Sequence, residues 1–348
     1  MSRISLDART PGAPRPPRVI AASPFVPAPP APAPTPLVPA PGTPGPYADC
    51  TADGAGGLVL DVPGPGGSGG GGACGADGGA VLLRKRHGRG AGASLRLPLT
   101  ATADGALRAV LPGTTRLREG RWDVYLALPD DVPRRLLPGV CDLRTLAGAA
   151  PGDGGGDDLD LDLDPRSRLN VRIPYTTKHG NLSIRAWLRY PHAEAGALLL
   201  DDGALVLRGR VYGTRLAATA RLEARSRDAS VPPVRVPVRA SPGPPDRGFC
   251  AALLFDALLP GGPGDRVRDL WLRPSEEGEP VRVGRILDDV PDKKQIFAYP
   301  ARHVEGPEGA VHAVRPYYTV NNNLSVRVSD EGRQPGAARA GNGRVSGA

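Results

Sequence analysis

A twelve-residue run in this chain is stated twice. Pro174 to Arg185 (PYTTKHGNLSIR) returns 142 positions later as Pro316 to Arg327 (PYYTVNNNLSVR), with Pro, Tyr, Thr, Asn, Leu, Ser and Arg in register. A period of this size is too long for a solenoid repeat and suits a whole domain, so the chain reads as two copies of one module.

The echo extends upstream in the same order. Asp123-Val124-Tyr125-Leu126 matches Asp269-Leu270-Trp271-Leu272, Leu95–Leu99 matches Val234–Val238, and Gly57–Leu60 resembles Ala204–Leu207. The offset drifts only between 139 and 147, as loop insertions would make it do. Module one then covers residues 48–190 and module two residues 195–330.

The repeated segments alternate apolar and polar residues: Leu95/Leu97/Leu99, Trp122/Val124/Leu126/Leu128, Val171/Ile173/Tyr175 and Leu182/Ile184. Period two means one face buried and one wetted, the pattern of antiparallel strands. Gly, Pro, Asp and Asn separate the runs, as hairpins and loops require. The fold class expected is all-β, with two tandem immunoglobulin-like antiparallel β-sandwich domains. Trp187 is expected to extend the core of module one. Residues 1–47 are rich in Pro and Ala and residues 331–348 in Gly, Ala and Arg, so both flanks are expected to be disordered. The stretches Gly64–Gly79 and Gly152–Asp164 read as mobile loop insertions.

No apolar run approaches a membrane span, and the N-terminus lacks a signal-peptide core. The expected location is the cytoplasm, at or near the inner face of the membrane. Cys50, Cys74, Cys141 and Cys250 show neither CxxC spacing nor a pattern that repeats, which argues against structural disulfides and zinc. The net charge of +8 comes almost wholly from Arg, since only Lys85, Lys178, Lys293 and Lys294 are lysines. With aromatics at 4% and the cations spread along the chain, the charge argues against a nucleic-acid partner.

Motifs for catalysis are missing from the sequence. The histidines have no metal-ligand spacing, and no nucleophile elbow, phosphate loop or dinucleotide fingerprint occurs. The acidic run Asp157–Asp164 lacks the Gly and Glu positions of an EF-hand and has no copy in module two, so a solvated loop is preferred to a calcium site. Ser183 and Ser325 have no base implied nearby. No cofactor and no catalytic residue is expected.

The repeated hairpin remains. Its turns, Thr177–Asn181 and Val320–Asn323, use Gly and Asn where positive φ is needed. Leu182/Ile184 and Leu324/Val326 should enter the cores. The turn and tyrosine side chains are the candidate polymer contacts: Tyr175, Lys178, His179, Asn181, Tyr317, Tyr318, Asn321 and Asn322.

Trp122-Asp123-Val124-Tyr125-Leu126, followed by Pro174, Tyr175, Thr176, Gly180, Asn181, Leu182 and Ser183, resembles the accessory C-terminal β-modules of actinobacterial wall-polymer transferases. These include CDP-glycerol glycerophosphotransferases and glycosyltransferases, and the modules are similar to the linker and tail domains of TarS/TarP-type teichoic acid glycosyltransferases. Module two keeps Asp269, Leu272, Pro316, Tyr317, Thr319, Asn323, Leu324 and Ser325, but has Arg268 for the Trp and Asn322 for the Gly. The resemblance covers about residues 50–330 and lacks the family's catalytic half. It implies a non-catalytic module for cell-wall glycopolymer synthesis that binds the polymer or docks a membrane-associated transferase. Two readings compete with it: a scaffold that self-associates into a homo-oligomer, and an enzyme whose site cannot be assembled from sequence.

Overall fold

The computed structural model describes residues 45–53, 56–64, 78–88, 90, 92–144, 169–201, 203–240, 247–260, 266–306 and 309–331. The Pro/Ala-rich flank as far as residue 44, Cys74, nearly all of the glycine-rich stretch, the acidic run and the C-terminal tail lie outside the described residues.

The alternating runs form strands. The first eleven are β1 (Tyr47–Ala52), β2 (Leu58–Val62), β3 (Ala80–Lys85), β4 (Ser94–Pro98), β5 (Thr100–Ala101), β6 (Leu107–Leu111), β7 (Gly120–Ala127), β8 (Arg134–Arg135), β9 (Leu137–Asp142), β10 (Leu169–Thr176) and β11 (Leu182–Arg189). The next eleven are β12 (His192–Leu200), β13 (Ala204–Tyr212), β14 (Arg221–Ser226), β15 (Val234–Pro237), β16 (Arg239–Ala240), β17 (Gly248–Leu254), β18 (Arg266–Arg273), β19 (Val281–Gly284), β20 (Arg302–Glu305), β21 (Val311–Tyr318) and β22 (Leu324–Asp330). Two short helical turns are described, Asp256–Leu258 and Lys293–Ile296.

The two sets pair in one order. In the first, β5-β6-β2-β1-β9 makes one sheet and β10-β11-β7-β3-β4 the other; in the second, β16-β17-β13-β12-β19 and β21-β22-β18-β14-β15 repeat that order, and β20 is added beside β21. The first set splits one bent strand into β8, antiparallel to β7, and β9, parallel to β1. The second keeps it whole, so β19 pairs with both β18 and β12 and joins the two sheets.

Each set encloses its own apolar core. The first is lined by Leu60, Leu83, Leu111, Trp122, Val124, Leu182 and Ile184, the second by Leu207, Phe249, Leu270, Tyr318, Leu324 and Val326. Each large apolar side chain so buried contributes about 1.5–3 kcal/mol. One buried arginine closes each core. Arg172 donates to the carbonyls of Gly56, Pro112, Gly113 and Thr115, and Arg268 to those of Leu258 and Pro260. The two arginines stand at different strand positions, β10 in one set and β18 in the other. Burial pulls Arg172 down to about 10.

Trp187 departs from the expectation. Residues 182, 184 and 186 of β11 enter the first core, so 183, 185, 187 and 189 face outward. Trp187 is nevertheless fully buried, because it packs with Ile173 against Ile286 of the second set. Asn321 is the polar centre of this junction. Its side chain accepts from Arg185 at 2.9 Å, and its carbonyl accepts from Trp187 Nε1 at 3.4 Å and Arg189 Nη2 at 3.1 Å. Only Tyr190 and Pro191 separate β11 from β12.

Candidate functional site

The outward face of each hairpin-bearing sheet carries the same cluster, built by register. In the first sandwich Tyr175 stands opposite Ser183, Ser183 opposite Asp123, and Asp123 opposite Arg84. Tyr317, Ser325, Asp269 and Arg225 make the identical row in the second. Ser183 Oγ donates to Asp123 at 2.9 Å, and Ser325 Oγ to Asp269 at 2.7 Å.

Two guanidiniums hold each carboxylate. Arg86 and Arg135 lie 2.6 and 3.1 Å from Asp123, and Arg282 and Arg227 lie 2.9 and 3.4 Å from Asp269. Burial alone would push both carboxyls up, but the Ser and Arg hydrogen bonds and the Arg charges outweigh it and hold both below the usual range. A carboxylate so neutralised is a poor proton acceptor, and the Ser–Asp pair serves to fix the arginines in place.

Each cluster also frames an aromatic ring with two arginines. Arg84 and Arg135 lie 5.0 Å from the Tyr125 ring centre, and Arg225 and Arg282 lie 5.1 and 5.4 Å from that of Trp271. In the second sandwich Glu223 ties Arg225 and Arg273 at 2.6 and 2.8 Å, and Arg327 covers Tyr317 at 5.5 Å. Register puts Arg225, Arg273, Arg282, Arg315 and Arg327 on this outer face against Glu223 and Asp269. The face is basic and aromatic, and its charge is organised rather than scattered.

The hairpin residues named from sequence divide. Tyr175 and Tyr317 are half-buried at the edge of their clusters, and Lys178 and His179 are exposed at the first turn. Asn181 closes that turn: its carbonyl accepts from Thr177 N, and its own N–H donates to Thr177 Oγ1. The second turn has the same bonds from Thr319 to Asn323, with Asn322 at φ 56° where the first has Gly180 at φ 76°. This second turn is not a free surface. Asn322 is fully buried and its Oδ1 accepts from Lys293 N, while Asn321 belongs to the junction. Tyr318 is in the second core. The alternation that put Tyr317 outward required Tyr318 to point inward.

Sequence reading missed Arg84, Arg86, Arg135, Arg225, Arg227 and Arg282. Their spacing carries no motif, and only the repeat of Asp123 and Ser183 as Asp269 and Ser325 pointed to them. It also missed that Cys50 and Cys141 are register partners across β1 and β9; both are free thiols. Among the described residues no group of His, Cys, Asp and Glu could hold a metal ion, and no helix is long and apolar enough to cross a membrane.

No protein-family model matches the chain, and no curated protein matches it. Among solved structures it is similar to S. aureus TarS, at 16% identity and a TM-score of 0.32, over 46% of this chain and 28% of that one. A TarS fragment, residues 217–571, matches at 17% identity and a TM-score of 0.32, over 50% of this chain and 46% of the fragment. A tetra-tandem repeat from the extending region of a large adhesion protein matches at 10% identity and a TM-score of 0.20, over 82% and 74%. The chain thus spans less than half the length of either TarS chain.

Proposed function

We propose that this chain is a non-catalytic accessory module of cell-envelope glycopolymer synthesis. Its two immunoglobulin-like sandwiches, residues 48–190 and 195–330, hold an anionic polymer for a transferase at the inner face of the membrane. The observation that carries this reading is the duplicated outward cluster of arginines around an aromatic ring. Fixed guanidiniums suit phosphate oxygens, and the rings suit the carbon skeleton of a sugar or polyol. The hairpin resemblance to wall-polymer transferase modules supports the same assignment.

The test is a titration of the full chain with poly(glycerol phosphate) and with a neutral glucan, at low and high salt. Saturable binding of the polyanion alone, weakened by salt, is expected. Failure to bind either polymer at low salt overturns the reading.

A scaffold role is the second reading, and edge strand β9 favours it. Among the described strands β9 pairs only with β1, and its Val140 is 73% exposed. An open apolar edge is a template for another chain. A concentration-independent monomer mass in solution would rule this out.

A further inference from the structure

Cys50 on β1 and Cys141 on β9 stand 91 positions apart, yet the fold makes them register partners. A bulge brings them together. Ala48 pairs with Pro138, so an unbroken parallel ladder would set Cys50 against Val140 and Cys141 against Thr51. One extra residue of β9 opposite Asp49 shifts the register, and Cys141 moves beside the inward-facing Cys50.

Two groups build that bulge. Asp49 Oδ1 accepts from Val140 N at 2.6 Å. Gly139 permits the close approach, since a Cβ there would overlap the same oxygen and stand 3.0 Å from the Ala48 carbonyl. Neighbouring strands lie about 4.7–4.9 Å apart, and a disulfide spans Cα separations of about 4.4–6.8 Å. Register partners on one face can therefore be bridged without moving the backbone. The two thiols already share a hydrogen bond.

The thiols differ in access. Cys141 is exposed, and the bond from Cys50 holds its thiol below the ordinary value, which favours the reactive thiolate. Cys50 is buried, but the one sulfur it must reach is that of Cys141. Its thiol is raised by the bond to Cys141, then by burial and by the Cys141 charge. The first and third of these causes vanish once Cys141 is no longer a thiolate.

We propose that Cys50 and Cys141 form a reversible disulfide, with a small-molecule disulfide such as oxidised glutathione as the oxidant. The Cys141 thiolate attacks one sulfur of the oxidant, whose S–S bond breaks, and one glutathione leaves as thiolate. The Cys50 sulfur then attacks the Cys141 sulfur of this mixed disulfide. The protein S–S bond forms, the bond to glutathione breaks, and the second glutathione leaves with the Cys50 proton. Two thiols are oxidised and one glutathione disulfide is reduced to two glutathiones.

The bond pins β9 to β1. Among the described strands β9 pairs with no other, whereas its counterpart β19 is held by both β12 and β18. Neither β12 nor β19 contains a cysteine, so the tie is confined to the first sandwich.

The test incubates the full chain with oxidised glutathione, caps residual thiols with iodoacetamide and maps peptides without reduction. A Cys50–Cys141 cross-linked peptide is expected as the main product, formed equally in the Cys74→Ala/Cys250→Ala variant and reversed by dithiothreitol. In Cys50→Ala the reaction should stop at glutathione on Cys141. Oxidation should raise the thermal midpoint of the wild type by at least about 5 °C, because closing a long loop constrains the unfolded chain. That rise should be absent in Cys50→Ala. The disulfide is overturned by no reaction at Cys141, by glutathione that stays on Cys141 of the wild type, or by a cross-link to Cys74 or Cys250 instead. An unchanged midpoint after cross-linking overturns the pinning of β9.

Discussion

Ser325 and Asp269 face each other across the β18/β22 ladder, and the serine donates a 2.7 Å hydrogen bond that fixes the carboxylate between Arg282 and Arg227. Ser183 and Asp123 do the same in the first sandwich. Each aspartate has a depressed folded pKa, so its contribution to stability is present above the unfolded value of about 3.9 and is lost as pH falls through the folded value. Asp269→Asn should therefore destabilise the chain at pH 7 by about 1–3 kcal/mol, the range for hydrogen bonds to charged groups. The deficit should begin to shrink as the wild type is acidified below about pH 4, where the unfolded chain takes up the proton first, and should vanish as pH falls through the lower folded value. Urea unfolding at pH 7 and pH 3 measures both.

A second pH response sits at the junction. His192 is fully buried and donates from Nε2 to Glu194 at 2.7 Å, while Glu194 accepts from the backbone N–H groups of Ile286 and Leu287. Burial holds the imidazole below its ordinary value, and the Glu194 hydrogen bond offsets this only in part. The neutral ring contributes stability above the unfolded value of about 6.5, and that stability is lost as pH falls toward the folded value, because the unfolded chain takes the proton first. The wild type should lose stability between about pH 6.5 and pH 5 more steeply than His192→Gln. Thermal unfolding across that range would show parallel curves if His192 were not the group.

Cys50 and Cys141 share one hydrogen bond with unequal effect. The bond to Cys141, then burial, pushes the Cys50 thiol up, while the same bond pulls Cys141 down. Cys141 is exposed and Cys50 is buried. Iodoacetamide at neutral pH should modify Cys141 well before Cys50, since the thiolate is the reacting form. Cys50→Ala removes the donor and should slow alkylation of Cys141. Peptide mass mapping over a time course reads both, and equal rates at the two cysteines would refute the assignment.

The layers were legible because period-two alternation names the inward residues without reference to what covers them. Leu182, Ile184, Leu324 and Val326 enter their cores as their positions require. The turns were legible for a local reason, since Gly180 and Asn322 both hold positive φ. What alternation cannot say is whether an outward face meets water or another sandwich. Trp187 and Ile173 are outward residues buried by the second sandwich, and Asn321 and Asn322 are turn residues consumed by the same junction. The arginine clusters were hidden because they assemble across β3, β7, β8 and β11, far apart in sequence and joined only by register.

The junction can be broken without touching either core. Trp187 sits outside both apolar clusters, is fully buried beside Ile173 and Ile286, and donates from its indole to the Asn321 carbonyl. Trp187→Ala leaves a cavity that the short Tyr190–Pro191 connection cannot collapse freely, and large-to-small changes of this kind cost about 3–5 kcal/mol. Because the lost contacts are those between the sandwiches, the cost should fall on their coupling. Calorimetry of the wild type should give one unfolding transition, and Trp187→Ala should give two that separate. A single transition lowered as a whole would mean that Trp187 supports the first core after all.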